Sequence, residues 1–256
     1  MNWKTFFALL ARDAHVARRN ILPVLVQNLI QPMMFVFVFG RIMTGSGLLP
    51  EAYKNMLLPG IMAITMVISG AQGVAMPLIA EFQFTKEIED RLLSPIHISW
   101  IAMEKIVAGM LQALVAGFVV IPAGWLLLGR GLDLSGTRPL SLVAIFLLVA
   151  LFSAASGLVL GCLIGQTQIG MMFTLVLGPM IFFGCAYYPW STLARYPVLQ
   201  KAVLVNPLVY ASEGFRAAMV PAIPHMELSA VLAALVLFDA GLVWLGIVSF
   251  DRKAVG

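Results

Sequence analysis

Apolar residues run along this chain in long stretches separated by short polar ones. A bilayer core about 30 Å thick needs roughly 20 apolar residues in a helix. Six stretches meet that length: residues 21–42, 56–80, 106–128, 140–165, 169–188 and 228–250. A seventh, residues 198–220, is interrupted by Lys201, Asn206, Pro207, Glu213 and Arg216. Such groups at mid-bilayer cost roughly 2–3 kcal/mol each on insertion scales. Residues 191–222 are therefore expected to form a pair of short helices at one surface, or to dip in and return without spanning. The expected fold is an all-α integral membrane domain over residues 1–256, with six transmembrane helices, an N-terminal interfacial helix and this surface or re-entrant pair before the last span.

Ahead of the first stretch, Trp3, Phe6, Phe7, Leu10, Ala14 and Ala17 recur at helical spacing, and Lys4, Arg12, His15 and Arg19 fall opposite them. Residues 1–19 read as an amphipathic helix in the membrane interface. A plain cytosolic extension of the first span is the alternative. The polar pattern changes again at Glu81, where six of the chain's 28 charges (Glu81, Lys86, Glu87, Glu89, Asp90, Arg91) fall within eleven residues. Thr85 can cap a helix there, Phe84, Ile88, Leu92 and Leu93 share a face, and Pro95 ends it. A short helix of this kind over residues 84–94 suits docking into a groove on a soluble partner. Packing on its own bundle is the equal alternative.

Small residues repeat every four positions in the fourth stretch at Ser153, Gly157, Gly161 and Gly165. They form a groove for a close helix neighbour, within the chain or in a second copy. Pro32, Pro77, Pro122 and Pro179 stand inside spans, and Gly178-Pro179 makes the strongest break, just ahead of an aromatic cluster at Tyr187, Tyr188 and Trp190. Asp239 lies mid-way along the sixth stretch. An intramembrane carboxylate faces the bundle interior or water. It is either a proton or cation site or a structural hydrogen-bond partner of another helix. Glu104 and Lys105 stand at the start of the third stretch, where they can snorkel.

Composition narrows the function classes. The chain is 61% hydrophobic and 11% charged, with a mean hydropathy of +0.97, against about 25% charged residues in ordinary soluble domains. That excludes a soluble domain, a disordered chain, a disulfide-stapled secreted domain and a nucleic-acid binder. Cys162 and Cys185 both lie in apolar runs, which fits small packed residues better than a bridge or a metal framework. Nine Lys and Arg fall in the segments that are cytoplasmic if the N-terminus is inside, against seven outside. The four on the N-terminal arm lie together, which favours both termini in the cytoplasm. No cleavable leader is evident in the sequence. It carries no GxxxxGK[ST], HExxH or GxSxG pattern, and His15, His97 and His225 lie far apart. No catalytic, cofactor or metal residues are expected.

Three elements carry a resemblance to a known family. The segment 182–219, FFGCAYYPWSTLARYPVLQKAVLVNPLVYASEGFRAAM, holds Asn206, Pro207, Leu208, Tyr210 and Arg216 in an apolar–proline–NPL–Tyr–Arg order. KEIEDRLLSPI occupies residues 86–96 and LLPGIMA residues 57–63. In this order and spacing the chain resembles the ABC type-2 exporter permeases over essentially its whole length. The resemblance implies a non-catalytic transport subunit that pairs with a second permease copy, identical or not, and with separate ATP-binding subunits that hold ATP and Mg. It implies a multi-pass protein of the cell's inner or cytoplasmic membrane, in contact with lipid.

The same resemblance gives Phe84, Lys86, Glu87, Ile88, Asp90, Arg91 and Leu92 the role of coupling to the ATPase, and Asn206, Pro207, Tyr210, Glu213 and Arg216 that of an outer gate. Family members export drugs, lipids or lipid-linked polysaccharides. Here the aromatics cluster near span ends, which tilts the expected cargo toward an amphipathic or hydrophobic drug or lipid. A lipid-linked polysaccharide is the alternative. An ion-coupled carrier using Asp239 is a further one.

Overall fold

A computed structural model of the chain describes residues 3–85, 88, 97–129 and 136–255. Among these residues every regular element is helical. α1 runs from Trp3 to Phe35 and continues as a wide π-helical turn from Val36 to Met43. α2 (Tyr53–Ala80) continues likewise into a π-helical turn, Glu81–Thr85. α3 (Ile98–Leu128) and α4 (Pro139–Leu163) follow. The fifth apolar stretch, here α5, is a chain of short pieces: a 3-10 turn Gln166–Gln168, α-helical Ile169–Met171, a π-helical turn Met172–Leu177 and α-helical Gly178–Phe182. After a 3-10 turn at Trp190–Arg195 come α6 (Pro197–Ala202), α7 (Pro207–Met219) and α8 (Leu228–Val255).

α2, α3, α4 and α8 are each long and apolar enough to cross a membrane. α1 and α5 depart from the expected pattern. No turn separates the residues expected at the interface from those expected to span, and α1 is one helix of 33 residues. At 1.5 Å per residue it is about 50 Å long, well beyond the hydrocarbon thickness. α5 leaves the helix at Phe182, short of the expected Tyr188. Gly184 and the left-handed Cys185 (φ 51°) then turn the chain back. A proline stands near each of the three π-helical turns. Pro32 and Pro77 each stand four residues ahead of a π-helical turn, and Pro179 follows the third. A proline removes one ladder hydrogen bond and pushes on the preceding turn, which fits the turn ahead of Pro179, whereas the turns at Val36 and Glu81 lie on the far side of Pro32 and Pro77. In α3 the helix runs through Pro122. Thr85 is the last residue of the turn that continues α2, in place of the expected cap of a new helix.

α2 is the central helix, and its small-residue seam against α4 is close. A Cβ on Gly157 would stand 2.5 Å from the Ala71 carbonyl oxygen, and one on Gly161 would stand 3.1 Å from the Ala75 Cα. Gly70 lies against Ser153 in the same way. Three of the four positions in the small-residue repeat thus serve packing within the chain, where dispersion replaces the absent hydrophobic drive. Gly165, the fourth, has only loose neighbours. Helix ends are closed by side chains from elsewhere. Arg41 donates to the Leu127 carbonyl at the end of α3 (3.2 Å), and Lys253 donates to the Gly161 carbonyl near the end of α4 (3.2 Å). Cations there satisfy free carbonyls and oppose the helix dipole.

Candidate functional site

Three arrangements hold nearly all the chemistry. The first is at the α2 N-terminal end of the bundle. α7 begins with Asn206, whose side-chain oxygen accepts from the Leu208 N–H (3.0 Å), and with Pro207 at the first helical position. Both are standard helix-start chemistry. The Asn206 amide also donates to the Met180 carbonyl (2.7 Å), which ties α7 to α5. From Leu208 to Met219 every side chain but Tyr210 is buried, and Tyr210 donates to the Leu204 carbonyl (3.0 Å).

A helix buried this way can hold Glu213 and Arg216 only because they pair with each other one turn apart. Both side chains make further bonds, while Arg216 Nε has no partner among the described residues. Glu213 accepts from the Trp190 N–H (2.9 Å) and the Met226 N–H (2.8 Å), and Arg216 donates to the Cys185 carbonyl (3.0 Å). Burial pulls the Arg216 guanidinium below its ordinary value, and the Glu213 carboxylate opposes the shift. The pair therefore acts as a fastener. It satisfies backbone groups of two irregular loops that would otherwise be stranded among apolar side chains. The loop after α5 is pressed onto α2 here, so closely that a Cβ on Gly60 would stand 1.8 Å from the Ala186 carbonyl oxygen. Tyr53 donates to the Tyr187 carbonyl in the same region (2.9 Å).

The second arrangement is at the opposite end. Lys105, only 3% exposed, places its ammonium 2.6 Å from Glu81 Oε1 and 2.7 Å from Asp13 Oδ2. The sequence predicts a Lys105 that snorkels at the mouth of a span. α3 starts earlier, at Ile98, so Lys105 lies two turns inside the helix and bridges α1 and the end of α2. Phe6 meets Trp100 edge-on at 5.8 Å, so the N-terminal part of α1 lies along the start of α3. Phe82 is held edge-on by Phe250 (5.9 Å), with the Lys253 ammonium 4.9 Å from its ring centre.

Of the residues assigned to ATPase coupling, Lys86, Glu87, Asp90, Arg91 and Leu92 lie outside the described residues, and Phe84 falls in the turn that ends α2. Ile88 is buried with Leu78, Ile101 and Phe250, so its side chain serves the bundle's own packing.

Between these ends, α1, α2, α5 and the loop at Tyr187 line an open cavity of about 370 Å³. Its wall is apolar and aromatic (Phe35, Ile64, Ile68, Phe182) with three uncharged polar side chains, Asn28, Gln72 and Tyr187. Asn28 is held by a hydrogen bond to Ser69 (3.0 Å). Asp239 is not part of this cavity lining. It is 3% exposed on α8, and neither carboxylate oxygen has a hydrogen-bond partner among the described residues. The interhelical hydrogen bond considered for it is not made among the described residues. No group of three metal-ligating side chains occurs among the described residues.

The profile of the ABC-2 type transporter family matches residues 4–220. The chain belongs to that family. No curated protein matches it in sequence. It is accordingly a multi-pass membrane permease component of an ABC-type transporter, and membership implies an ATP-binding partner subunit. The match covers α1 through α7, and so includes the Lys105 cluster, the cavity and the Glu213–Arg216 fastener.

Sequence reasoning picks out Asn206, Pro207, Tyr210, Glu213 and Arg216, and the structure brings all five together in and around α7. It does not find their partners at Cys185, Met226 and the Trp190 N–H, which are backbone groups with no side-chain signature. It also does not find the Lys105 cluster.

Proposed function

We propose that the chain is the permease of an ATP-driven exporter. It moves an amphipathic or hydrophobic molecule, a drug or a lipid, out of the cytoplasm or inner leaflet. In this reading α1 and α5 cross the inner membrane together with α2, α3, α4 and α8, and both termini are cytoplasmic. Two permeases, alike or different, face each other. Phe84, Lys86, Glu87, Asp90, Arg91 and Leu92 meet a separate ATPase subunit that binds ATP and Mg. Ile88 holds the loop to the bundle, and residues 191–222 form the outer gate.

The cavity carries this reading. Its lining offers apolar and ring surface plus amide and phenol groups, with no ionised side chain among the lining residues. Sites of this kind suit ligands with an apolar body and a few uncharged polar groups. The position fits as well, since α1 leads from the cavity to the Lys105 cluster and α5 leads to the α7 fastener.

Filling the cavity is the direct test. Ile68→Trp should abolish export of a lipophilic dye or a labelled phospholipid from proteoliposomes while the complex still assembles and hydrolyses ATP. Unchanged export in a well-folded Ile68→Trp complex would remove the cavity from the path. Glu87→Ala with Arg91→Ala should weaken co-purification of the ATPase subunit, and an intact, substrate-stimulated complex would refute the coupling assignment.

A further inference from the structure

The Lys105 cluster joins three segments that are remote in sequence, Glu81 lying 24 residues away and Asp13 lying 92 residues away. Its geometry gives it a mechanical position. Glu81 opens the π-helical turn that leads out of α2 into the loop expected at the ATPase. Any displacement of that loop acts first on this turn. Asp13 lies on α1, the same continuous helix that carries Asn28, Pro32 and Phe35 on the cavity wall. From Asp13 to Asn28 is about 22 Å along the axis at 1.5 Å per residue, and the helix runs on through Pro23 between them. One ammonium therefore holds both the root of the loop and the lever that forms a side of the cavity.

A buried ion cluster of this kind has little compliance. Separating one partner strands a charge away from water, so contacts are either kept or exchanged as a unit. Further contacts at the loop root, Phe82 with Phe250 and Lys253, attach it to α8 and the end of α4, neither of which lines the cavity.

We infer that Lys105 is a positioning residue for transport, the joint through which movement of the loop after Glu81 turns α1 against the rest of the bundle. This rests on the permease reading, in which that loop receives the stroke of the ATPase. Lys105 touches no cargo in this role. It sets where α1 stands in each state of the motor.

The test uses the full permease–ATPase complex and needs no cargo. Spin labels at Val26→Cys on α1 and Leu147→Cys on α4, both exposed sites, report the distance between the two helices. The background replaces Cys162 by Ala and Cys185 by Gly, the latter matching its positive φ. In otherwise unaltered complex the distance should shift between the nucleotide-free state and the ATP–vanadate state. Lys105→Met should lose that shift while the complex still assembles and hydrolyses ATP, and Lys105→Arg should restore it. Asp13→Asn, which leaves the Lys105–Glu81 pair in place, is the milder variant and should lose the shift as well.

A full shift in either assembled Lys105→Met or assembled Asp13→Asn complex overturns the assignment. A Lys105→Met chain that fails to fold leaves the decision to Asp13→Asn. Failure of the permease reading looks different: no complex with an ATPase forms, or the otherwise unaltered complex shows no nucleotide-dependent shift.

Discussion

The two ends of the bundle both bury charge, but they use it differently. At one end Glu213 and Arg216 sit one turn apart on a single helix, and their further partners are backbone groups of the loops at Cys185, Trp190 and Met226. At the other, Lys105 draws in carboxylates from two other segments. The first arrangement is local in sequence and satisfies irregular backbone, so it makes a rigid block of α7 and its loops. The second reaches across 92 residues and ties α1, α3 and the turn after α2 at one point. Charge buried within one helix and its adjoining loops fixes a local shape, whereas charge buried between helices fixes how separate helices stand to one another.

The sharpest way to break this comparison is to remove the fastener. Arg216→Met leaves Glu213 buried beside two N–H donors without its cation, and the loss of one partner of a buried pair typically costs about 3–5 kcal/mol. The thermal midpoint of the purified permease should fall by a large step, equally with and without the ATPase subunit. Glu213→Leu together with Arg216→Met should recover only part of the loss, because the Trp190 and Met226 N–H groups stay unsatisfied. A double variant as stable as the parent would mean that the backbone bonds contribute nothing and that the block is held by packing alone.

A second, smaller effect separates stiff from adaptable packing. Gly60→Ala drives a methyl into the Ala186 carbonyl oxygen, where the loop is pinned by the fastener, and overpacking of this kind costs about 1–3 kcal/mol. Gly161→Ala meets Leu78 and Ala75 at 3.0–3.1 Å, contacts that a few tenths of an ångström relieve. Denaturation of the two variants should therefore show Gly60→Ala as clearly the worse. Equal losses would place the two ends on the same mechanical footing.

The four helices with long unbroken apolar runs are legible in the sequence, because length and hydropathy decide them locally. Asn206, Pro207, Glu213 and Arg216 are legible as interruptions of an apolar run, while the helix-start role of the first two and the pairing of the last two are seen only in the structure. The small-residue repeat announces a close contact, and the Ala71 and Ala75 backbone supplies it. The sequence divides α1 because its polar face ends near Asn20, yet the helix runs on past that point and through Pro23. The break at Gly178-Pro179 is visible in the sequence, but the loosening begins earlier, at Met172, in residues that are individually ordinary. Lys105 is hardest to read. Its partners lie far off in sequence, and no periodicity within α3 points to them.

Below these effects stands the cap. Asn206→Ala removes the acceptor for the Leu208 N–H, worth about 1 kcal/mol at a helix start. It also leaves the Met180 carbonyl without its amide donor. Asn206→Asp should retain the first bond and lose the second. Ranking the parent, Asn206→Asp and Asn206→Ala chains by unfolding midpoint would divide the loss between cap and α5 tether.

The smallest effect is expected at a third buried charge site that follows neither pattern. Asp239 has neither an ion-pair partner nor a clasp, and no donor reaches either of its oxygens among the described residues. Asp239→Asn keeps the shape and removes no hydrogen bond made by the carboxyl among the described residues, so the unfolding midpoint should not fall measurably. That near-neutrality is informative because it separates two uses of a buried carboxyl. Had Asp239 joined helices as Glu213 joins loops, the amide would give up a charge-assisted bond, and the midpoint would drop by an amount comparable to the cap. A stable Asp239→Asn chain whose complex hydrolyses ATP but exports nothing would instead assign the carboxyl to the transport cycle. Unchanged stability with unchanged export would leave Asp239 with no part in either the block or the joint.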